Sequence, residues 1–93
     1  MYDVSLSEEA QQDLAEALDY YDKISEKLRE SLFRDFDSII SYLEKYPKHY
    51  PLRYKEIRIA STTKFSYGIH YRIDSQNVRI LRILHHKQCY KGE

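Results

Sequence analysis

Residues 64 to 90, KFSYGIHYRIDSQNVRILRILHHKQCY, alternate large apolar with polar residues, turn once, and end in two histidines, a lysine and a tyrosine. Those side-chain types suit one reaction in particular. Cleavage of RNA by attack of a 2′-hydroxyl on the adjacent phosphate needs a group to take the 2′ proton, cations around the five-coordinate phosphorus, and an acid for the 5′ leaving oxygen. His85 or His86 can act as acid or base near neutral pH, Arg58, Arg82 or Lys87 can hold the phosphate, and Tyr90 can stack on a base or donate a proton. Each residue also has a plainer use. Tandem histidines at a strand end form a solvated or partner-binding edge, and a mid-strand arginine covers apolar surface with its stem, which is the simpler account of Arg72 and Arg79 beside the turn. Arg58 and Arg82 stand within otherwise apolar strands, where a cation is costly unless it faces a groove or a partner.

The elements that must position these groups follow from hydrophobic periodicity. Tyr2, Val4 and Leu6 alternate with polar residues, which predicts a short half-buried strand. Ser7 then offers an N-cap, Glu8 and Glu9 suit a first helical turn, and Ala10, Leu14, Ala17, Leu18, Tyr21 and Ile24 recur at helical spacing. Ser25 caps a second helix with Leu28, Leu32, Phe36, Ile39, Ile40 and Leu43 on its apolar face and Pro47 just past its end; the alternative is one helix running through residue 46. A loop, YPKHYP at 46 to 51, precedes three strands. In YKEIRIA, Ile57 and Ile59 share a face opposite Tyr54, Glu56 and Arg58; then Phe65, Tyr67, Ile69, Tyr71 and Ile73 face away from Ser66, Gly68, His70 and Arg72. DSQN at 74 to 77 is a hairpin turn into Val78 to His85, apolar on both faces and therefore central. The expected fold class is α+β, in the order β-α-α-β-β-β, with an antiparallel sheet packed against an N-terminal helical hairpin. Arg58, His70, Arg72 and part of the Arg79/Arg82 strand are then expected on the open face of the sheet.

A chain of 93 residues with 42% hydrophobic and 32% charged content suits a single folded domain over 1 to 93. Its most apolar windows are broken by charges and it opens on no signal segment, so a cytoplasmic protein without a membrane span is expected. One cysteine, Cys89, excludes an internal disulfide, and no glycine-rich phosphate loop, zinc-spaced Cys/His pair or nucleophile elbow is present, so neither a metal nor a cofactor is expected. The net charge of zero hides a division: residues 1 to 44 carry 4 basic and 12 acidic residues, a net of −8, while residues 45 to 93 carry 11 and 3, a net of +8. Either the halves neutralise each other across the fold or the basic half presents a positive face to RNA, DNA or an acidic protein. The acidic stripe of Glu16, Asp19, Asp22 and Glu26 is the solvated side of the first helix. Tyr20, Tyr21, Tyr42, Tyr46, Tyr50 and Tyr54, six of ten tyrosines, cluster at helix ends and the proline loop, as boundary packing or as a partner surface.

These stretches resemble the RelE/ParE toxin superfamily, and within it the ParE-like plasmid stabilisation group. VSLSEEAQQDLAEALDYYDKIS is similar to the family's opening strand and first helix, YLEKYPKHYPLRYKEIRI to its loop into a strand ending on an arginine, and KFSYGIHYRIDSQNVRILRILHHKQ to its aromatic hairpin. The resemblance implies a small bacterial toxin that halts growth and is held inactive by a cognate antitoxin protein. Two mechanisms exist among relatives: ribosome-dependent mRNA cleavage, an endoribonuclease activity, and inhibition of DNA gyrase. For the first, which makes the ribosome and mRNA the partners, Arg58 matches an arginine that the ribonuclease branch uses for phosphate, His85 the strand-end histidine and, loosely, Tyr90 a C-terminal aromatic; with Arg82 from the residue pattern these are the expected catalytic set, and Arg53, Lys55, Arg72 and Lys87 the expected nucleic-acid contacts. The chain departs from the family in having Phe65-Ser66-Tyr67 in place of a frequent FPY, His86-Lys87-Gln88 in place of an arginine-rich stretch, and Lys55 with Arg53 in place of a lysine pair. Those departures keep gyrase inhibition, and a non-toxic antitoxin-binding domain, as alternatives. Apolar and aromatic residues left on the helical hairpin and sheet edge suit an antitoxin segment that folds as it binds.

Overall fold

The computed structural model describes residues 1–86. Its elements are β1 (Asp3–Leu6), α1 (Glu8–Asp22), α2 (Glu26–Lys45), β2 (Leu52–Tyr54), β3 (Ile57–Ser61), β4 (Tyr67–Asp74) and β5 (Asn77–His85). Both expected caps are in place: the Ser7 Oγ accepts from the Ala10 N–H at 3.0 Å and the Ser25 Oγ from the Lys27 N–H at 3.2 Å. The break at Ser25 excludes one continuous helix, and the two helices pack as a hairpin. No helix among the described residues is long and apolar enough to cross a membrane.

The architecture is α+β, as the periodicity predicts, but the sheet has two features that the sequence pattern does not contain. Its order is β1-β5-β4-β3-β2, with β1 parallel to β5 and every other pair antiparallel. The last strand, β5, expected to be central, is an interior strand one in from the edge, with β4 at the centre. Its second neighbour is the opening strand; alternation along a strand reports its faces, never the direction of its neighbour. A short additional strand, β2, pairs with β3 at the other edge through a turn in which Lys55 takes a left-handed φ of 48°.

One face of the sheet packs on the helices. Leu32, Phe36, Ile39 and Leu43 of α2 and the small Ala10 and Ala17 of α1 meet Ala60, Ile69, Tyr71, Val78, Ile80 and Ile83. The run Val78, Ile80, Ile83 changes parity because β5 carries a bulge: His70 stands opposite Arg82 and Tyr71 opposite Ile80, which leaves Leu81 as the extra residue. Beyond that point every side chain of β5 lies on the face opposite to the one simple alternation from Val78 assigns.

Candidate functional site

His70 occupies the middle of the sheet face turned away from the helices. Its neighbours Ile69 and Tyr71 belong to the helix-side core, and its partners across the ladder are Ile59 and Arg82. The Tyr54 hydroxyl lies 2.8 Å from the His70 Nδ1, and the ring is only 8% exposed. A side chain on Gly68 would meet Ile59 Cγ2 at 3.0 Å and His86 Cε1 at 3.2 Å, so the absence of a Cβ lets the His86 ring lie across the strand close to His70. Burial lowers the His70 pKa, and unfavourable electrostatics with Arg82, His86 and Arg53 lower it further against an opposing pull from Asp13. The ring is therefore held neutral at neutral pH, in a basic setting formed by β2, β4 and β5.

Arg82 reaches this face through the bulge and is then fixed from the side. β1 ends at Leu6, opposite Ile80, so the later half of β5 has no strand on that edge. The start of α1 covers it instead: the Ser7 Oγ donates to the Leu81 carbonyl at 2.8 Å, and the Asp13 carboxylate accepts the Ile83 N–H at 3.0 Å. The same carboxylate takes Arg82 Nε at 2.7 Å and Nη2 at 3.1 Å, a two-pronged ion pair that aims the guanidinium at α1.

The other expected catalytic groups lie elsewhere. Arg58, expected on the open face, stands opposite Tyr71 in the ladder and so faces the helix side. It donates to the Tyr50 carbonyl at 2.5 Å and the Lys48 carbonyl at 3.4 Å, while the buried Tyr71 hydroxyl donates to the Pro47 carbonyl at 2.6 Å. Burial, with smaller contributions from Tyr50 and Tyr42 against the lowering effect of Arg58, pushes Tyr71 up to about 12 and keeps it a donor. His85, placed by the bulge on the helix side, sets its ring edge-on to Tyr67 at 5.4 Å, and Tyr67 in turn meets Phe36 at 5.9 Å. Arg72 is exposed and pairs with Asp74 at 3.2 Å; Arg53 lies on β2 and Lys55 in the turn after it. Tyr90 and Lys87 lie outside the described residues.

Of the expected catalytic residues, then, Arg82 joins the open face, while Arg58 and His85 do not. The groups that do converge with it are His70, Tyr54 and His86, with Asp13 as the anchor. His70 is legible in hindsight as the one titratable residue of near-neutral pKa on the polar side of β4, between Gly68 and Arg72. Among the described residues no three His, Cys, Asp or Glu side chains are grouped to hold a metal ion.

A helical hairpin laid over one face of a mixed five-stranded sheet, with a basic, histidine-centred opposite face, makes this a small α+β protein. Among solved structures, the fold matches a protein of the chromosomal ParDE TA system from P. aeruginosa, with a TM-score of 0.79 at 18% identity over 91% of this chain and 96% of that one. The chain matches the family described as ParE toxin of type II toxin-antitoxin system, parDE, over residues 4–90, and it belongs to that family. No match was found among curated protein sequences. Membership makes the chain the toxin of a type II toxin-antitoxin system and implies an antitoxin partner.

Proposed function

We propose that this toxin arrests growth by binding and inhibiting DNA gyrase, and that its antitoxin prevents this. The observation that carries the reading is the dispersal of the groups that RNA cleavage would need. Arg58 serves loop carbonyls on the helix side, His85 packs edge-on against Tyr67 there, and Arg82 is turned toward Asp13. A displacement at phosphorus needs its cations and its acid around one atom. A toxin that acts as a binding module has no such requirement. The antitoxin suits the exposed apolar side chains of the helical hairpin, among them Ile24 and Phe33, each at least half exposed.

A second reading, ribosome-dependent mRNA cleavage, is favoured by the His70 cluster: a neutral histidine bonded to a tyrosine and flanked by arginines is an acid-base pair with cations near it. One pair of assays separates the two. Purified, antitoxin-free protein is added to a gyrase supercoiling reaction and, separately, to a translating cell-free extract whose mRNA is mapped by primer extension. Loss of supercoiling with intact mRNA is the expected result. Unaffected gyrase together with ribosome-dependent cuts overturns the gyrase reading and makes His70→Ala the next variant.

A further inference from the structure

At the far end of α2 from the hairpin turn is a cleft of about 340 Å³. Its walls are the rings of Tyr2, Tyr42, Tyr46 and His49, its rim carries Lys45 and Lys48, and no carboxylate lines it. Tyr42 is the hub, tilted against Tyr46 at 5.3 Å and edge-on to His49 at 5.4 Å. Tyr46 is 57% exposed and Tyr42 37%, so ring surface of both remains open to solvent at the cleft.

The loop at the floor of the cleft is tied down through its carbonyls. The Tyr46 carbonyl accepts the His49 N–H at 3.1 Å, the Pro47 carbonyl the Tyr71 hydroxyl, and the Lys48 and Tyr50 carbonyls the Arg58 guanidinium. An incoming anion would therefore meet the Lys45 and Lys48 ammonium groups and the rings, while these carbonyl oxygens already accept hydrogen bonds from the protein. Arg58, which the sequence marks for phosphate contact, is in this arrangement the residue that fixes the loop.

We infer that this cleft binds one unpaired base of a single-stranded nucleic acid, stacked on the tyrosine rings, with the flanking phosphates on Lys45 and Lys48. Three features select that occupant. Flat π-surfaces beside lysines are the means by which single strands are held without sequence readout. Lysine is depleted from protein-protein interfaces, where an acidic peptide would be the competing ligand, whereas phosphate contact is its common use. The cleft is also short, built from Tyr2 and one eight-residue stretch from Tyr42 to His49, which suits a single flat ring better than an extended peptide. The inference concerns a surface separate from the His70 cluster and does not depend on which target the toxin arrests.

Fluorescence anisotropy of labelled 12-residue oligothymidine and oligouridine against the full chain tests it, with a 12-base-pair duplex as comparison and oligoglutamate as competitor. The single strands are expected to bind more tightly than the duplex. Tyr46→Leu should weaken them by about 5- to 100-fold. Lys48→Gln should weaken them and reduce the slope of log affinity against log salt by about one. Arg58→Met, which touches no ligand, should weaken binding by loosening the loop, and the exposed Arg34→Gln on the body of α2 should leave it unchanged. Circular dichroism establishes that each variant is folded. Equal affinity for duplex and single strand, equal affinity of Tyr46→Leu and the native chain, displacement by oligoglutamate as effective as by unlabelled oligothymidine, or no binding at low salt would each overturn the inference. Which of the two single strands binds more tightly identifies the natural source as DNA or RNA.

Discussion

Replacing Asp13 by alanine removes three hydrogen bonds at once, from Arg82 Nε, Arg82 Nη2 and the Ile83 N–H, and leaves a guanidinium and an edge amide of β5 without their acceptor. The Asp13 side chain is 12% exposed and that of Arg82 30%, so water replaces the lost partner only in part. Bonds to charged groups are worth about 1.5–3 kcal/mol each when measured singly, but here three share one carboxylate and the arginine is partly solvated, which brings Asp13→Ala to about 2–3 kcal/mol of lost stability. For a domain of this size, that corresponds to a fall in melting temperature of about 10–20 °C. Asp13→Asn, which keeps an acceptor for the Ile83 amide, should lose about half as much. In a double-mutant cycle with Arg82→Met, followed by urea unfolding and far-UV circular dichroism, the two sites should couple by about 1–2 kcal/mol. A loss under about 0.5 kcal/mol for Asp13→Ala, or strict additivity with Arg82→Met, would refute the claim that this carboxylate ties α1 to the uncovered edge of β5.

Two further outcomes follow from titratable groups. The folded chain resists protonating His70, whereas the unfolded chain takes that proton at the ordinary value of 6.5, so stability is full above 6.5 and declines as pH falls below it toward the lowered folded value. His70→Gln should show a smaller fall in melting temperature between pH 7.5 and 5 than the native protein; identical slopes would remove His70 as the cause. Tyr71→Phe strips the Pro47 carbonyl of its donor in a buried setting and should cost about 1–3 kcal/mol in denaturant titrations. Because Tyr71 ionises in the fold only at about 12, against 10.0 when unfolded, its contribution is complete below pH 10 and is lost as pH rises toward 12. Over that alkaline range the native protein should therefore lose stability more steeply than Tyr71→Phe, and parallel decline would refute the assignment.

The sequence by itself determined the local structure. Ser7 and Ser25 marked both helix starts, the three- and four-residue spacing of Leu32, Phe36, Ile39 and Leu43 marked the buried face of α2, and the alternation from Tyr67 to Ile73 separated the core side of β4 from the side that carries His70. These signals are local because a cap or a periodic face depends on residues within one or two turns of each other. Tertiary structure alone decided that β1 runs parallel beside β5, that Arg58 serves the loop at 46 to 51, and that Tyr54 meets His70. Each of those joins residues that are distant in the chain or packed from different elements. The bulge at Leu81 had the largest consequence for the site. Side chains on a strand alternate with a period of two, so one inserted residue reverses every face beyond it, and in VRILRILH nothing local marks where the insertion falls. That single step of register sends Arg82 to the open face and His85 to the helix side, the reverse of what simple alternation from Val78 assigns to each.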